Sequence, residues 1–471
     1  MTCDVKNYGI KTKMSDIDFG DLSSDTQTES EHDEITDLSF YEKIKLSAKN
    51  MAEIFDIHED VAFQCLQTVR WNTEKCMNDF SEDRSKFLSE NNISEEDCRK
   101  PRTLHQFSGI DIPQCSVCFE EVSPDKLFAL PCNHYFCENC WHDHIMLNIS
   151  NGKSMIRCMA SDCRSLILPS DVSFICGEEA FKKFEEKLAA VSVSVSKEVK
   201  RCINPKCQLS LSVDSIGLCG IAKCKCGTRM CWKCGNESHA PLSCNKMNEW
   251  QIAAETGSKK QLVISNTKPC GKCGARIEKT GGCNHMKCVN CGFEFCWICG
   301  HEWDTHEGEK YACNEYKNLD DIVASNHKED ARIAHYYSRY FEHHTSIIIE
   351  KEKENEFKDK LTKILSRSSL NSQLSSEEIC EKINKITDVR DFARSVLTWS
   401  YPHAYMMEEG STELKLFEFV QKELEMSMER LLFYIHLDGS FPSFKRLMHM
   451  VNMVEKSTES LLKHVDLASK I

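Results

Sequence analysis

Residues 115–140 read CSVCFEEVSPDKLFALPCNHYFCENC, and their Cys and His spacing decides how the middle of this 471-residue chain folds. Together with two cysteines further on, the stretch offers eight potential metal ligands in four pairs: Cys115, Cys118, Cys132, His134, Cys137, Cys140, Cys158 and Cys163. Eight such ligands suit two tetrahedral zinc ions. Their order predicts a cross-brace, in which the first and third pairs bind one ion and the second and fourth pairs bind the other.

The distribution of cysteine indicates metal binding along a much longer segment. Of the 29 cysteines, 24 lie between Pro113 and Cys313. The N-terminus lacks the apolar core of a signal peptide, and no apolar run approaches the ~20 residues of a membrane span, so we expect a cytoplasmic or nuclear protein without a membrane partner. Disulfides rarely persist in those compartments, so zinc is the expected use of these thiols.

Acidic residues outnumber basic ones, with 73 Asp and Glu against 59 Lys and Arg, which gives a formal net charge of −14. Sequence-independent binding to nucleic acid depends on Lys and Arg side chains that face phosphates. The charge therefore argues against a zinc-finger protein that binds nucleic acid, and we expect no nucleic-acid partner.

A second set of eight ligands follows the first. Here neighbouring pairs can share a metal ion, which is the simplest arrangement. One zinc ion is predicted at Cys202, Cys207, Cys224 and Cys226, and another at Cys231, Cys234, His239 and Cys244. Cys219 is left over, and we interpret it as a spare thiol in a glycine-flanked turn.

The third set allows two arrangements that spacing alone does not separate. Both place one zinc ion on Cys270, Cys273, Cys288 and Cys291. A second cross-brace takes the other four ligands from Cys283, His285, Cys296 and Cys299. The alternative leaves Cys283 and His285 free and takes the ligands from Cys296, Cys299, His306 and Cys313. Each arrangement binds two ions, so counting the metal does not distinguish them.

If Cys283 is free, its neighbours favour covalent chemistry. Gly281 and Gly282 precede it and predict a flexible, open loop in which the thiol is accessible. His285, two residues further on, can act as a general base or lower the pKa of the thiol. A reactive thiol beside an imidazole is typical of acyl transfer through a covalent intermediate.

The two ends of the chain are predicted to fold without metal. Residues 1–38 are acidic and poor in apolar side chains, which indicates a disordered arm. Residues 39–85 carry apolar residues at helical spacing in three short segments, with helix starts near His58 and Asn72. Residues 316–471 have little Pro and long apolar stripes, which predict an all-α domain.

The order of these motifs resembles the RING-in-between-RING (RBR) ubiquitin ligases. The sequence GGCNHM from Gly281 to Met286, Asn266-Thr267-Lys268 and Tyr336-Tyr337-x-Arg339-Tyr340 are typical of its Ariadne subfamily. The resemblance implies a multi-domain chain of small zinc modules between helical domains. The implied order is a disordered acidic arm (1–38), a three-helix UBA-like bundle (39–85), a linker (86–110), a first RING (111–168), a helical linker (169–200), an in-between-RING (IBR) zinc domain (201–245), a linker (246–268), a catalytic second RING, or Rcat (269–315), and an all-α Ariadne domain (316–471).

In that family the third zinc module is catalytic and is not a cross-brace. The resemblance therefore implies that Cys283 accepts ubiquitin as a thioester and that His285 deprotonates the incoming substrate amine. Glu294 matches the third member of the family's catalytic group and would orient His285. The resemblance also implies that His306 and Cys313 are zinc ligands, so that each module holds two ions and the chain holds six.

The implied partners are a charged ubiquitin-conjugating enzyme, ubiquitin and protein substrates, with Val117 at the position that contacts the conjugating enzyme. Family members also bind neddylated cullin-RING ligases through the UBA-like domain, here residues 40–82. The C-terminal helices of the family inhibit it through a Phe-Glu pair and a further Glu. The matching positions here are Ile349-Glu350 and Glu429, so the aromatic residue is missing.

Arg164 leaves a second interpretation open. It follows Cys163, at the position where conventional RING ligases carry the arginine that primes direct transfer. The chain would then be a conventional RING ligase or a zinc scaffold, ubiquitin would pass directly from the conjugating enzyme, and Cys283 would be a zinc ligand.

Overall fold

The computed structural model describes residues 35–91, 93–96, 98–109, 113–153, 155–259, 267–279, 283–306, 325–369, 375–436 and 443–468. Within these ranges only the backbone is described for residues 254–259, 306, 325–330 and 367–369. Nearly all of the predicted acidic arm, residues 1–34, lies outside the described residues. No helix in the described part of the chain is long and apolar enough to cross a membrane.

Four helices form the N-terminal domain: α1 (Asp37–Phe55), α2 (Glu59–Thr68), α3 (Thr73–Glu82) and α4 (Arg84–Glu90). The predicted starts of the second and third helices are confirmed, because the side chains of His58 and Asn72 cap α2 and α3. Helix α4 corrects the linker predicted from residue 86, since Phe87 and Leu88 are buried in the core. Two apolar residues in a polar stretch are too few to indicate a helix by periodicity.

The zinc modules contain short antiparallel strands. They are β1 (His105–Gln106), β2 (Leu127–Ala129), β3 (Tyr135–Cys137), β4 (Val199–Arg201), β5 (Ser210–Ser212), β6 (Ile221–Lys223), β7 (Arg229–Cys231), β8 (Thr267–Pro269), β9 (Arg276–Glu278), β10 (His285–Lys287) and β11 (Glu294–Cys296). Strands β1 to β3 form one sheet, and the others pair as β4–β5, β6–β7, β8–β9 and β10–β11. Strand β1 is a second correction to the predicted linker, because His105 pairs with Ala129. Two-stranded ribbons are marginal alone, so metal cross-links must supply much of the stability.

Helices also lie within and between the zinc modules. Helix α5 (Glu138–Ser150) belongs to the first module, α6 (Pro169–Val195) leads to the second, and α7 (Cys244–Lys259) leads out of it. Helix α7 therefore occupies much of the predicted linker 246–268. Gly177 interrupts α6 with a φ of 74°, a conformation that a residue without a side chain adopts at little cost. Helix α6 packs against α1 and so connects the N-terminal domain to the first two modules.

The C-terminal region is helical, as predicted. It comprises α8 (Ser325–Glu352), α9 (Glu354–Ser369), α10 (Ser376–Tyr405), α11 (Thr412–His436) and α12 (Phe444–Ala468). Helix α10 is central and packs against the other four. The buried face of α11 includes one of the predicted apolar stripes, in which Val420 is only partly buried: Leu414, Phe417, Val420, Leu424, Met428 and Leu431.

The second zinc module contacts this helical domain through charged groups. Arg229 in β7 donates to both carboxylate oxygens of Asp388 in α10, at 2.6 and 2.7 Å. Its guanidinium also lies 4.2 Å from the centre of the Phe392 ring. At the far end of α12, the backbone N–H of Cys219 donates to Asp466 (3.2 Å), so Cys219 lies in a contact between domains and not in a free turn.

The buried His403 in α10 should make the stability of the helical domain depend on pH. Burial lowers its pKa to about 4, and Nδ1 has no hydrogen-bond partner among the described residues. As the pH falls, His403 is therefore protonated in the unfolded chain before it is protonated in the folded one. The free energy of unfolding is greatest above pH 6.5 and falls as the pH drops towards 4. The loss is on the order of 3 kcal/mol.

His403→Leu should make the thermal unfolding temperature less sensitive to pH between 6.5 and 4. The effect is measured as the difference between the variant and the native chain at each pH, because zinc ligands also protonate in this range. His449→Leu, on the exposed face of α12, is the matched control. Parallel pH curves for His403→Leu and the native chain would show that His403 is protonated equally in both states.

Candidate active site and metal centres

The structure brings five of the predicted ligand sets together. Within each set the potential ligand atoms lie within 4.8 Å of one another. The sets are Cys115, Cys118, Cys137 and Cys140; Cys132, His134, Cys158 and Cys163; Cys202, Cys207, Cys224 and Cys226; Cys231, Cys234, His239 and Cys244; and Cys270, Cys273, Cys288 and Cys291. Thiolate and imidazole ligands in fours are the donor set of structural zinc, with every coordination position taken by protein.

The sixth predicted set is only partly described. Cys296 and Cys299 lie at the end of β11 and in the turn that follows it, while the His306 side chain and Cys313 lie outside the described residues. The cross-brace predicted for the first module is confirmed: its first and third ligand pairs form one cluster, and its second and fourth pairs form the other. The second module instead uses neighbouring pairs, as its spacing predicts.

Cys283 and His285 belong to none of the metal-ligand clusters among the described residues. The imidazole of His285 instead meets Glu294, with 3.0 Å between Nε2 and Oε2. The β10–β11 pairing creates this contact, since it places Lys287 opposite Glu294 and His285 on the neighbouring diagonal. A hydrogen bond from Lys287 lowers the pKa of Glu294, so the carboxylate is ionised beside the imidazole.

The thiol of Cys283 is half-buried and lies against helix α11. Its Sγ is 3.3 Å from Oε2 of Glu429, a buried carboxylate. Burial, and then the charge of Glu429, raise the pKa of the Cys283 thiol well above its usual range. The thiol is therefore protonated and shielded in this state. The glycine loop predicted before it, residues 280–282, lies outside the described residues.

An aromatic residue on α11 covers the imidazole as well. The ring of Phe433 lies 5.2 Å from that of His285, and Trp303 lies 4.5 Å away on the same imidazole. The predicted role of Glu350 needs correction, because its carboxylate accepts hydrogen bonds from Arg394 within the helical domain. Of the two predicted acidic residues, only Glu429 touches the catalytic candidates.

Several residues of this site are not predicted by the sequence motifs. Asn284 donates to Glu429, Lys279 donates to Asn284, and Phe433 packs on His285. The one available signal is on α11, where Glu425 and Glu429 adjoin the apolar stripe although buried acidic residues are rare without partners. Such residues indicate a polar contact but do not identify the partner.

In the first module, two apolar side chains remain exposed near the zinc ligands. Val117 is 46% exposed and Phe119 is 70% exposed. Apolar side chains on a loop held by metal are suited to bind another protein. Arg164, the residue that suggested direct transfer, is exposed in the same module.

Comparison with known proteins places each zinc module in a known domain family. Residues 115–161 match the "Zinc finger, C3HC4 type (RING finger)", residues 182–244 match the "IBR domain, a half RING-finger domain", and residues 265–314 match the "IBR domain". A RING followed by two IBR-type modules defines a protein of the RING-in-between-RING class.

Comparison with individual proteins indicates which RING-in-between-RING proteins this chain is similar to. The mouse (Mus musculus) "E3 ubiquitin-protein ligase ARIH2" is 27% identical over 88% of this chain and 83% of its own length. The "Potential E3 ubiquitin-protein ligase ariadne-2" of Caenorhabditis elegans is 29% identical over 93% and 92%. The "E3 ubiquitin-protein ligase dbl4" of Schizosaccharomyces pombe is 25% identical over 81% and 75%. These relatives, together with the RING and IBR matches, support an RBR ubiquitin ligase of the Ariadne subfamily.

The separation of Cys283 from the metal predicts how zinc content responds to substitution. Cys283→Ala should leave the number of bound zinc ions unchanged, because Cys283 belongs to none of the ligand clusters among the described residues. Cys288→Ala, five residues away in the same module, should lose one ion because it breaks a four-ligand set. Native mass spectrometry of the two full-length variants measures both. Loss of an ion from Cys283→Ala would restore the cross-brace arrangement.

Proposed function

We propose that this ubiquitin ligase accepts ubiquitin on Cys283 as a thioester and then passes it to a substrate lysine. The observation that carries the proposal is the position of Cys283, outside the described metal clusters and two residues before an imidazole held by Glu294. The zinc ions supply structure, since four protein ligands leave no open position for catalysis. We further propose six ions in all, the last at Cys296, Cys299, His306 and Cys313.

The first step is transthiolation. In the open state the Cys283 thiol passes its proton to the His285 imidazole, and the resulting thiolate attacks the thioester carbonyl of the charged conjugating enzyme. The thiolate of that enzyme leaves and takes up the proton. One thioester replaces another, so the free-energy change of the exchange is close to zero and ubiquitin can be passed on to a second acceptor. Exposed Val117 and Phe119 in the first module offer the apolar contact that the conjugating enzyme needs.

The second step is aminolysis, in which His285 acts as general base. Because Nε2 donates its proton to Glu294, the lone pair of the neutral ring is on Nδ1. That nitrogen takes a proton from the substrate amine as the amine attacks the thioester, and the S–C bond then breaks so that Cys283 leaves as the thiolate. Glu294 thus fixes both the orientation and the tautomer of the imidazole.

We propose that the described state is autoinhibited. Helix α11 covers the thiol with Glu429 and the imidazole with Phe433, so neither can meet a charged conjugating enzyme. A partner can relieve this state only if it binds the open state more tightly than the closed one. By the family resemblance we propose a neddylated cullin-RING ligase at residues 40–82 as one such partner.

Replacing the thiol tests the covalent step. Cys283→Ser should trap ubiquitin as an oxyester that resists thiol reductants, because an alkoxide can attack the thioester but is a poor leaving group. Cys283→Ala has no nucleophile and should form no adduct. Gel analysis of the full chain after incubation with charged conjugating enzyme shows both. Full ligation by Cys283→Ala would favour direct transfer from the first module, the reaction that Arg164 suggests.

Removing the covering carboxylate tests autoinhibition. Glu429→Ala should raise the rate of Cys283–ubiquitin formation roughly ten- to a hundredfold, with each ~1.4 kcal/mol of lost masking giving about tenfold. The thiol also becomes more acidic once the negative charge is removed. Glu423→Ala, on the exposed side of the same helix, is the matched control and should have no effect. Equal rates for both variants and the native chain would exclude masking by Glu429.

A further inference from the structure

We infer that Asn284 forms the oxyanion site of this enzyme, and that the Glu429 carboxylate occupies that site in the closed state. The inference rests on the proposed function, because it concerns the intermediate formed on Cys283. It assigns a catalytic role to Asn284 and explains why a carboxylate, and not simply a bulky side chain, covers the thiol.

Three donors converge on the Glu429 carboxylate from two consecutive residues. The backbone N–H of Asn284 donates to Oε2 at 2.9 Å, and its side-chain amide donates to Oε1 at 2.9 Å. The Cys283 thiol donates to Oε2 at 3.3 Å. An anion is therefore bound directly beside the nucleophilic sulfur, by groups that belong to the catalytic module itself.

The geometry resembles an oxyanion hole, with the two Asn284 donors on the two oxygens of one carboxylate. Such sites place backbone or Asn donors about 2.7–3.1 Å from the developing negative oxygen. The backbone N–H of the residue after the nucleophile is a recurring donor in acyl transfer. Asn284 immediately follows Cys283, and both of its N–O distances lie within that range.

The catalytic module holds the Asn284 amide in the orientation that donates. The ammonium of Lys279, which has no acceptor, donates to Oδ1 at 3.1 Å, so the amide nitrogen must face the carboxylate. The backbone N–H of Trp297 donates to the carbonyl of Asn284 at 2.7 Å. Lys279 and Trp297 lie in the third zinc module, so both contacts persist when α11 moves away.

The reaction balances at this site. As the S–C bond to Cys283 forms, the carbonyl electron pair moves onto oxygen, and the two Asn284 donors stabilise that charge. The pair then returns, the S–C bond to the conjugating enzyme breaks, and its thiolate leaves with the electrons. Aminolysis passes through a second oxyanion at the same place, so Asn284 serves both steps. Glu429 must leave first, because one anion excludes the other.

The test separates oxyanion stabilisation from reactivity of the thiol. In full-length Glu429→Ala, Asn284→Ala should slow both adduct formation from charged conjugating enzyme and discharge to free lysine by roughly a hundredfold. Alkylation of Cys283 by iodoacetamide should change by less than about twofold, since that displacement creates no oxyanion. Asn284→Asp, which keeps the size but removes the donor, should behave like Asn284→Ala.

Asn452→Ala, on the exposed face of α12, is the control in the same background and should match the Glu429→Ala reference. Unchanged transfer rates for Asn284→Ala and Asn284→Asp, or alkylation slowed as much as transfer, would overturn the inference alone. If the Glu429→Ala reference formed no adduct on Cys283, the proposed function itself would fail.

Discussion

Coordination of zinc by four side chains stabilises the middle of this chain, where the hydrophobic clusters of the second and third modules are small. The strands of the three zinc modules are two or three residues long, and most are paired only as hairpins. Such ribbons bury too little apolar surface to fold by themselves. The metal therefore fixes where each loop begins and ends, and the position of every other functional residue depends on it. Cys283 lies in one of these loops, between ligands that anchor it but without being one.

The state that we propose to be closed adds a second, polar constraint. Lys279, Asn284, Glu429, Arg394 and Glu350 are buried close together where α8, α10 and α11 meet the third module. Buried charges are costly unless each one is paired. Here charged side chains cross the boundary between module and helices at Glu429, at Lys279, whose ammonium also donates to Ser346, and at Lys268, which pairs with Glu342. Opening this boundary would also separate Phe433 from His285 and Trp303.

Zinc ligands and helix caps were predictable because their signals are local. Cys115 and Cys118 direct two thiolates at one ion because they are close in sequence. The Asn72 side chain caps α3 by accepting a hydrogen bond from a backbone N–H three residues further on. The free state of Cys283 was not predictable from spacing, since two arrangements used equal numbers of ligands. Its contact in the structure is Glu429, which lies 146 residues away.

The failures have the same origin. Glu350 was matched to an inhibitory position, but its partner Arg394 lies on another helix and could not be read from sequence. The aromatic residue of the family's pair is missing at Ile349, and the aromatic contact comes instead from Phe433 on α11, which the sequence motifs do not mark. Strand β1 and helix α4 were missed because each gains its stability from tertiary pairing and burial rather than from a periodic pattern.

Reaction of the full chain with ubiquitin that carries a C-terminal electrophile tests the central claim most directly. Digestion and mass spectrometry identify which of the 29 cysteines becomes linked, and how fast. The account predicts a link to Cys283, formed slowly in the native chain and much faster in Glu429→Ala. A link to another cysteine, or equal rates in the two proteins, would contradict it.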